Sequence, residues 1–591
     1  MQARFVRVGA NVVIKNHLWF GDNLTVLREQ IQSESVDLVY LDPPFNSNAT
    51  YNILYKTPVG GDAQVKAFED TWSWEDGASK ALDDLSREDI TTFNMLRALQ
   101  SFLGRSDMMA YLAMMAVRLV ELRRVLKSGG SIYLHCDPTA CHYLKILMDA
   151  VFKGEGFINH ISWKRSHAHS DGRQGAKHFG RNSDTLLFYS RSSDRVFNVQ
   201  YTPYSEEYKD RDYRRVEEDG RRYRLDNIQG PGGAEKGNPS YELMGVTRYW
   251  RYSKAKMAAL VDEGRIVQTR PGAVPQIKRY LDEMPGVPLQ EIWTDIPIIS
   301  NRSKEALGYP TQKPLALLER IIAASTNQGD VILDPFCGCG TAIHAAEKLN
   351  RIWIGIDITY LAIQVIEDRF KTWLPAASYK LNGIPADEMS ARKLAAHDPY
   401  TFQQWAVGKV GGQSRGKGAD GGIDGEIVFQ TGTQTYGRGL VSVKAGRHVG
   451  PEMIRSLCAV VQREQADIGI FVCMDEPTRD MKSEAHGFGR ITLPGGDRPR
   501  VQIVTAADLI SGPNLGILTA LNIVAAAQAA RSVARKQPQR RPSADELRRQ
   551  PELPPMPISG GKISRGQPSL PLEDPLLSHP QPGQGRRRKR N

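Results

Sequence analysis

The sequence predicts an α/β fold built on a parallel sheet, and three observations carry that prediction. A short apolar run, a long helical pattern and a second apolar run follow one another near the N-terminus. The same rhythm returns beyond residue 315, after an interval where periodicity is lost. At 591 residues the chain is also too long for one domain, since a domain takes roughly 100–200 residues.

In order along the chain, Val36-Asp37-Leu38-Val39-Tyr40-Leu41 reads as a buried strand stopped by Asp42-Pro43-Pro44. Met108 to Lys127 reads as a helix closed by Ser128-Gly129-Gly130, and Ser131 to Cys136 as the next strand. From about Lys164 to Asp295 the pattern dissolves into Tyr, Arg, Gly and Asp, as in Tyr208 to Arg215. Composition alone leaves two readings of this insertion open, a solvated surface or a phosphate- and base-contacting one. A helix resumes at Leu315 to Ala323, then the strand Val331 to Leu333, a glycine turn, the helix Ala342 to Leu349 and the strand Ile352 to Ile356. The turn Asn382 to Pro385 introduces a further unit that ends near Ala530. Beyond it, eleven of the chain's 34 prolines fall between Pro538 and Pro582, which predicts a disordered tail.

Charge and cysteine content narrow the function classes. The 77 Lys and Arg against 66 Asp and Glu give +11, which suggests a polyanionic partner. Yet fourteen cations against five anions lie between Arg531 and Asn591, so the tail carries +9 of this and the body is nearly neutral. Apolar stretches are too short or too charged for a membrane span, and the N-terminus has no apolar signal core, so a cytoplasmic protein is expected. Six cysteines without Cys-x-x-Cys spacing are expected to be reduced, packing as small apolar side chains.

Two segments carry chemistry. Asp334-Pro335-Phe336-Cys337-Gly338-Cys339-Gly340-Thr341 joins a strand to a helix, where glycines admit a ligand close to the backbone and free amides face it. The next strand ends at Asp357, whose carboxylate can accept from ribose hydroxyls. Dinucleotide binding would want a third glycine where Ile343 stands, so an adenosyl cofactor without a pyrophosphate fits better. Asp42-Pro43-Pro44-Phe45 supplies a carboxylate and a rigid backbone carbonyl that can accept from an exocyclic amine, with an aromatic face for an extruded base.

These segments resemble the cofactor and catalytic motifs of the β group of amino DNA methyltransferases, whose catalytic motif precedes the cofactor motif. Gly21-Asp22-Asn23-Leu24 and Tyr309-Pro310-Thr311-Gln312-Lys313-Pro314 match that group as well. The resemblance implies a Rossmann-like core that uses S-adenosylmethionine on double-stranded DNA, with the target-recognition domain in the insertion. It assigns Asp42, Pro43, Pro44 and Phe45 to catalysis. Asp334, Phe336, Gly338, Gly340 and Thr341 would line the methionine end, Asp357 the ribose and Asp22 the adenine. Thr311, Gln312 and Lys313 would open the helix over the carboxylate end, Lys313 adding positive charge. Asp rather than Ser at position 42 favours adenine N6 over cytosine N4, which stays as the alternative. No cysteine follows a proline, which excludes cytosine C5 chemistry.

In the later unit, Asp424 and the segment Leu440-Val441-Ser442-Val443-Lys444 read as facing strands of a hairpin. This resembles the Mrr-like branch of the PD-(D/E)xK nucleases, which implies Mg²⁺ on Asp424 and a water-activating Lys444. Ser442 stands where that family carries an acid or Gln. A restriction effector acting through this unit is the rival from another class. The expected organisation is a catalytic part at 1–163, a target-recognition insertion at 164–298, a cofactor-binding part at 299–381, a nuclease-like unit at 386–528 and the tail at 529–591. The oligomeric state stays open, a homodimer included.

Overall fold

Nearly every residue of the Val36–Leu41 strand is buried, which puts it inside a sheet covered on both faces. The computed structural model describes residues 15–44, 50–56, 62–69, 76–166, 177, 179–300, 303–307, 309, 311–415, 422–432, 435–446, 448–494 and 496–517. Phe45 and the tail lie outside them.

The sheet has nine strands, in the order Ile292–Trp293, Phe157–Lys164, Ser183–Ser190, Leu126–Cys136, Val36–Leu41, Val331–Asp334, Ile352–Asp357, Asn16–Phe20 and Tyr379–Asn382. All run parallel except Ser183–Ser190, which is antiparallel to both neighbours. The period of two divides the central strand between two cores. Leu38 and Tyr40 pack with the helices Leu315–Ser325, Thr341–Lys348 and Tyr360–Trp373. Val39 and Leu41 pack on the opposite face with Asp107–Val125 and Cys141–Phe152. The expected α/β class is therefore the observed one.

Two boundaries differ from the sequence reading. The helix ends at Val125 and the strand starts at Leu126, so Gly129 and Gly130 lie in a strand instead of closing a helix. The strand Ser183–Ser190 belongs to the core sheet, so the structural insertion begins after it, not at residue 164. That insertion has its own four-stranded sheet and a small core of Ile228, Leu243, Trp250, Met257, Leu260, Ile266 and Ile277. Its outgoing and returning segments are stitched together, Leu289 N donating to Gln200 O at 2.8 Å and Tyr201–Thr202 pairing with Val287–Pro288; the returning chain is then tied to the core strand Phe157–Lys164, Ser162 N donating to Glu291 O at 2.9 Å and Trp163 Nε1 to Ile296 O at 2.7 Å. Many of its cations are tied to acids within it, as Arg221 to Asp282 and Glu283, Arg265 to Glu283 and Lys278 to Glu217. Exposed Arg214, Arg248 and Arg270 have no ion-pair partner among the described residues.

The later unit is a five-stranded sheet in the order Gln413–Ser414, Gly425–Gln430, Tyr436–Lys444, Ile468–Cys473, Val501–Thr505. Its helix Pro399–Lys409 does not stand apart from the larger sheet. Phe402, Trp405 and Ala406 share one apolar cluster with Phe20, Ile363, Ile366 and Phe370. Gly408 brings backbone so close to the Tyr360 ring that a Cβ there would lie 2.5 Å from Cδ1. All six cysteines are free thiols, five of them buried. No helix among the described residues is long and apolar enough to cross a membrane.

Candidate active site

The strands ending at Leu41 and Asp334 are neighbours, but the chain leaves them toward opposite sides of the sheet. Ligands of open α/β sheets bind at such a switch point, beyond the carboxyl ends of the strands. Asp42, Asp334 and Asp357 all stand at this edge.

The glycine turn is shaped by conformation and space. Gly338 and Gly340 have φ of +53° and +76°, where a side chain is strained. A Cβ on Gly340 would sit 2.8 Å from Ile366 Cγ1. The turn is tied to the next strand, Cys337 N donating to Ile356 O at 3.0 Å and Gly338 N to Asp357 Oδ2 at 2.8 Å. Asp357 Oδ1 accepts from both Thr359 N and Oγ1 at 2.8 Å, so three of its roughly four acceptor positions are already used. Burial raises the Asp357 pKa against these hydrogen bonds.

Asp334 is buried, with one oxygen accepting from Phe336 N at 3.1 Å. Burial, and then the charges of Asp42 and Asp357, push it well above the usual carboxylate range; the Phe336 hydrogen bond and Lys313 oppose the rise. Two carboxylates whose charges raise a buried third favour a cationic ligand at this edge.

Asp42 is held differently. Lys313 Nζ donates to its Oδ2, while Oδ1 is buried and has no hydrogen-bond partner among the described residues. Pro43 is buried beside it and Pro44 partly so. Beneath Asp42, on the same face of the strand, Tyr40 Oη lies 3.1 Å from His135 Nδ1, and His135 Nε2 lies 3.2 Å from Asp184 Oδ2. Burial and the nearby carboxylates hold the Tyr40 pKa far up, so its hydroxyl stays protonated. Asp184 also faces Arg165 at 3.3 Å; despite its burial, the His135 hydrogen bond and the His135, Arg165 and Lys313 charges bring its pKa below the ordinary value.

The remaining sequence candidates are placed as follows. Asp22 caps the helix Asn23–Gln30 through Thr25 N and takes a 2.8 Å ion pair from Arg118. Gln312 clamps the preceding turn, accepting from Leu307 N at 2.8 Å and donating to Glu305 O at 2.7 Å. Thr341 Oγ1 accepts from Arg369 at 3.0 Å on the buried side of its helix, and Thr311 and Phe336 are half-buried. Lys313 reaches Asp42, 271 residues away in sequence.

Arg118 and Arg369 were not among the sequence candidates. Arg118 also binds Asn23, which donates to Pro335 O at 2.8 Å and so joins the two strand ends. Its signal was a lone cation in the apolar run Met108 to Val120. Arg369, 2% exposed, donates to Cys339 O, Thr341 Oγ1 and His344 Nδ1 and braces the glycine turn from below.

His344 yields a pH prediction. Burial, then the charge of Arg369, hold its pKa down to about 3, so it folds as the neutral ring. The unfolded chain takes up this proton near pH 6.5 and the native one does not, so its stabilising contribution is present above 6.5 and lost as pH falls toward 3. The slope is about 1.4 kcal/mol per pH unit for one proton. His344→Gln, which keeps an acceptor for Arg369, should flatten the pH dependence of the urea midpoint between pH 6 and 4 relative to the parent.

In the later unit the expected hairpin is present, with Gly425 opposite Val441 and Lys444 Nζ 3.7 Å from Asp424 Oδ2. The metal expectation for Asp424 finds no support among the described residues. Its Oδ2 already accepts from Val443 N at 2.8 Å and lies 3.4 Å from Ser442 Oγ, and nearby Glu426 is bound by Arg415 and Arg438. No group of three His, Cys, Asp or Glu among the described residues is placed to hold a metal. One engaged carboxylate does not fit Mg²⁺, which wants several oxygen ligands in octahedral array.

Residues 36–368 match a family model described as DNA methylase, of the N6/N4 methyltransferase type. The Type II methyltransferase M.EcaI of Enterobacter cloacae is 27% identical over 377 residues, 62% of this chain and 73% of that protein. The StyLTI Mod subunit, from a Type III restriction-modification enzyme of Salmonella typhimurium, is 28% identical over 348 residues; the match takes in 56% of this chain and 49% of that relative. Among solved structures, the PvuII DNA methyltransferase, described as cytosine-N4-specific, aligns with a TM-score of 0.31 and 12% identity over 66% of this chain and 93% of that one. Residues 402–511 match a family described as NACHT-associated inactive restriction endonuclease, rather than an Mrr-like nuclease.

Proposed function

Since this chain belongs to the N6/N4 DNA methylase family, which matches more than half of it, we propose that it transfers a methyl group from S-adenosylmethionine to adenine N6 in duplex DNA, as part of a restriction-modification system. The observation that supports this most is the Asp42 carboxylate at the switch point, with one buried oxygen lacking a partner beside a glycine turn.

S-adenosylmethionine supplies a methyl group on a sulfonium, and the residues present suit it. Left-handed Gly338 lets the backbone of the turn approach a ligand closely, and Asp334 and Asp357 are carboxylates that a cation relieves. Asp357 has one acceptor position left for a ribose hydroxyl, and Asp22, although capping a helix, keeps a partly exposed carboxylate toward the adenine side.

An adenine amine is a poor nucleophile because its lone pair is delocalised into the ring. Asp42 Oδ1 accepts one N–H and the Pro43 carbonyl the other, which draws the nitrogen toward a tetrahedral form with its lone pair free. That pair forms the new N–C bond as the C–S bond breaks and its electrons stay on sulfur; the surplus amine proton leaves toward Asp42. Reaching this site requires the base to leave the duplex stack. Arg214, Arg248 and Arg270 on the insertion are suited to phosphate contact. Asp at position 42, where cytosine-N4 enzymes more often carry Ser, favours adenine. The later unit is read as non-cleaving, because Asp424 does not suit Mg²⁺.

The test is methylation of a duplex pool of mixed sequence with methyl-labelled cofactor, followed by digestion to nucleosides and mass spectrometry. N6-methyladenine is expected. N4-methylcytosine would overturn the base assignment, and no labelled nucleoside together with Mg²⁺-dependent cutting would favour the restriction effector.

A further inference from the structure

Lys313 was expected at the cofactor's carboxylate, yet its ammonium donates to Asp42. The two side chains are only 12% and 14% exposed, so this is not a surface pair. The approach of Lys313 is fixed from its own side. Gln312 clamps the preceding turn through Leu307 and Glu305, and the following helix is anchored by buried Leu317, Leu318 and Ile321. Asp42 is fixed from the other side, since Tyr40 and Leu41 are paired with Tyr133 and Leu134 and Pro43 is buried.

A carboxylate otherwise free to rotate offers either oxygen to a donor. An ammonium fixed on Oδ2 removes that freedom, leaving Oδ1 as the acceptor oxygen without a partner among the described residues. It also supplies the counter-charge that a mostly buried carboxylate needs beside Asp334. Resting on the proposed role of Asp42, we propose that Lys313 is a positioning residue that locks the Asp42 carboxylate by Oδ2, so that Oδ1 alone receives the target amine.

The experiment compares Lys313→Met, Lys313→Arg, Asp42→Ala and the Asp42→Ala/Lys313→Met pair in the full chain. It measures the cofactor Kd by calorimetry and the single-turnover methyl transfer rate at saturating cofactor and DNA. Lys313→Met should lower that rate by roughly a hundredfold, the order found when one preorganised polar contact is removed. The cofactor Kd should change less than about threefold, a factor small against the tenfold that 1.4 kcal/mol represents. Lys313→Arg should recover part of the rate, and if the Met variant does not fold it provides the same comparison. The double variant should be no slower than Asp42→Ala, because the lysine acts through that carboxylate. A weakened cofactor Kd with an unchanged saturated rate would place Lys313 on the cofactor and overturn the proposal, as would losses that add in the double variant. Full activity of Asp42→Ala would refute the reading of the site itself. An inactive Asp42→Ala beside a fully active Lys313→Met would refute only the positioning role.

Discussion

Replacing Asp42 with alanine is expected to cut single-turnover methyl transfer by on the order of a thousandfold, in line with the loss of a preorganised group at developing charge. Cofactor affinity should hold, because the glycine turn and Asp357 are untouched. The variant should also be less stable, since the Lys313 ammonium remains mostly buried with its Asp42 partner gone. Asp42→Asn separates the two effects. It keeps shape and one acceptor oxygen, so it should fold more stably than the alanine variant while still losing most of the rate. Rapid-quench methyl transfer and thermal unfolding on the same samples check this; equal rates for parent and alanine variant would remove Asp42 from the chemistry.

The second large effect is expected far from the reaction. Gly408 lies in the helix Pro399–Lys409, where a Cβ would come within 2.5–2.8 Å of three atoms of Tyr360. Tyr360 begins the helix that follows Asp357 and packs edge-on against Phe20, 5.9 Å between ring centroids. A leucine at 408 must therefore separate the later unit from the larger sheet or distort the helix beside the cofactor edge. Overpacking of this kind costs about 1–3 kcal/mol. Gly408→Leu should lower the melting temperature and weaken cofactor binding together, whereas Gly487→Leu, at an open position, should do neither. A melting temperature equal to that of the parent would show that the two units do not depend on this seam.

What was legible in the sequence was local. The Asp42 to Phe45 segment and the glycine turn announce themselves because chemistry and backbone conformation are encoded within a few residues, and the strands leading into them are short apolar runs. Contacts made across the fold were not. Arg369 bracing Cys339, Arg118 on Asp22, His135 between Tyr40 and Asp184, and Lys313 on Asp42 join residues 30 to 271 positions apart. No periodicity reports such pairs. The insertion was placed too early because Ser183–Ser190, a core strand, follows a polar stretch that masks it. The metal expectation finds no support for a related reason: Asp424 is legible in the sequence, but the backbone amide that already uses its oxygen is visible only in three dimensions.

The stitched segments of the insertion have a consequence for specificity. Beyond the core sheet the outgoing and returning segments run side by side, held by backbone bonds between Tyr201–Thr202 and Val287–Pro288 and from Leu289 to Gln200 that do not depend on what lies between. Closing a longer or shorter loop between fixed ends changes the cost only slowly with length. The segment between Thr202 and Val287 can therefore be exchanged, enlarged or remodelled without touching the carboxylates and the glycine turn. On the proposed function, replacing this cassette would change the DNA target and leave the chemistry as it is.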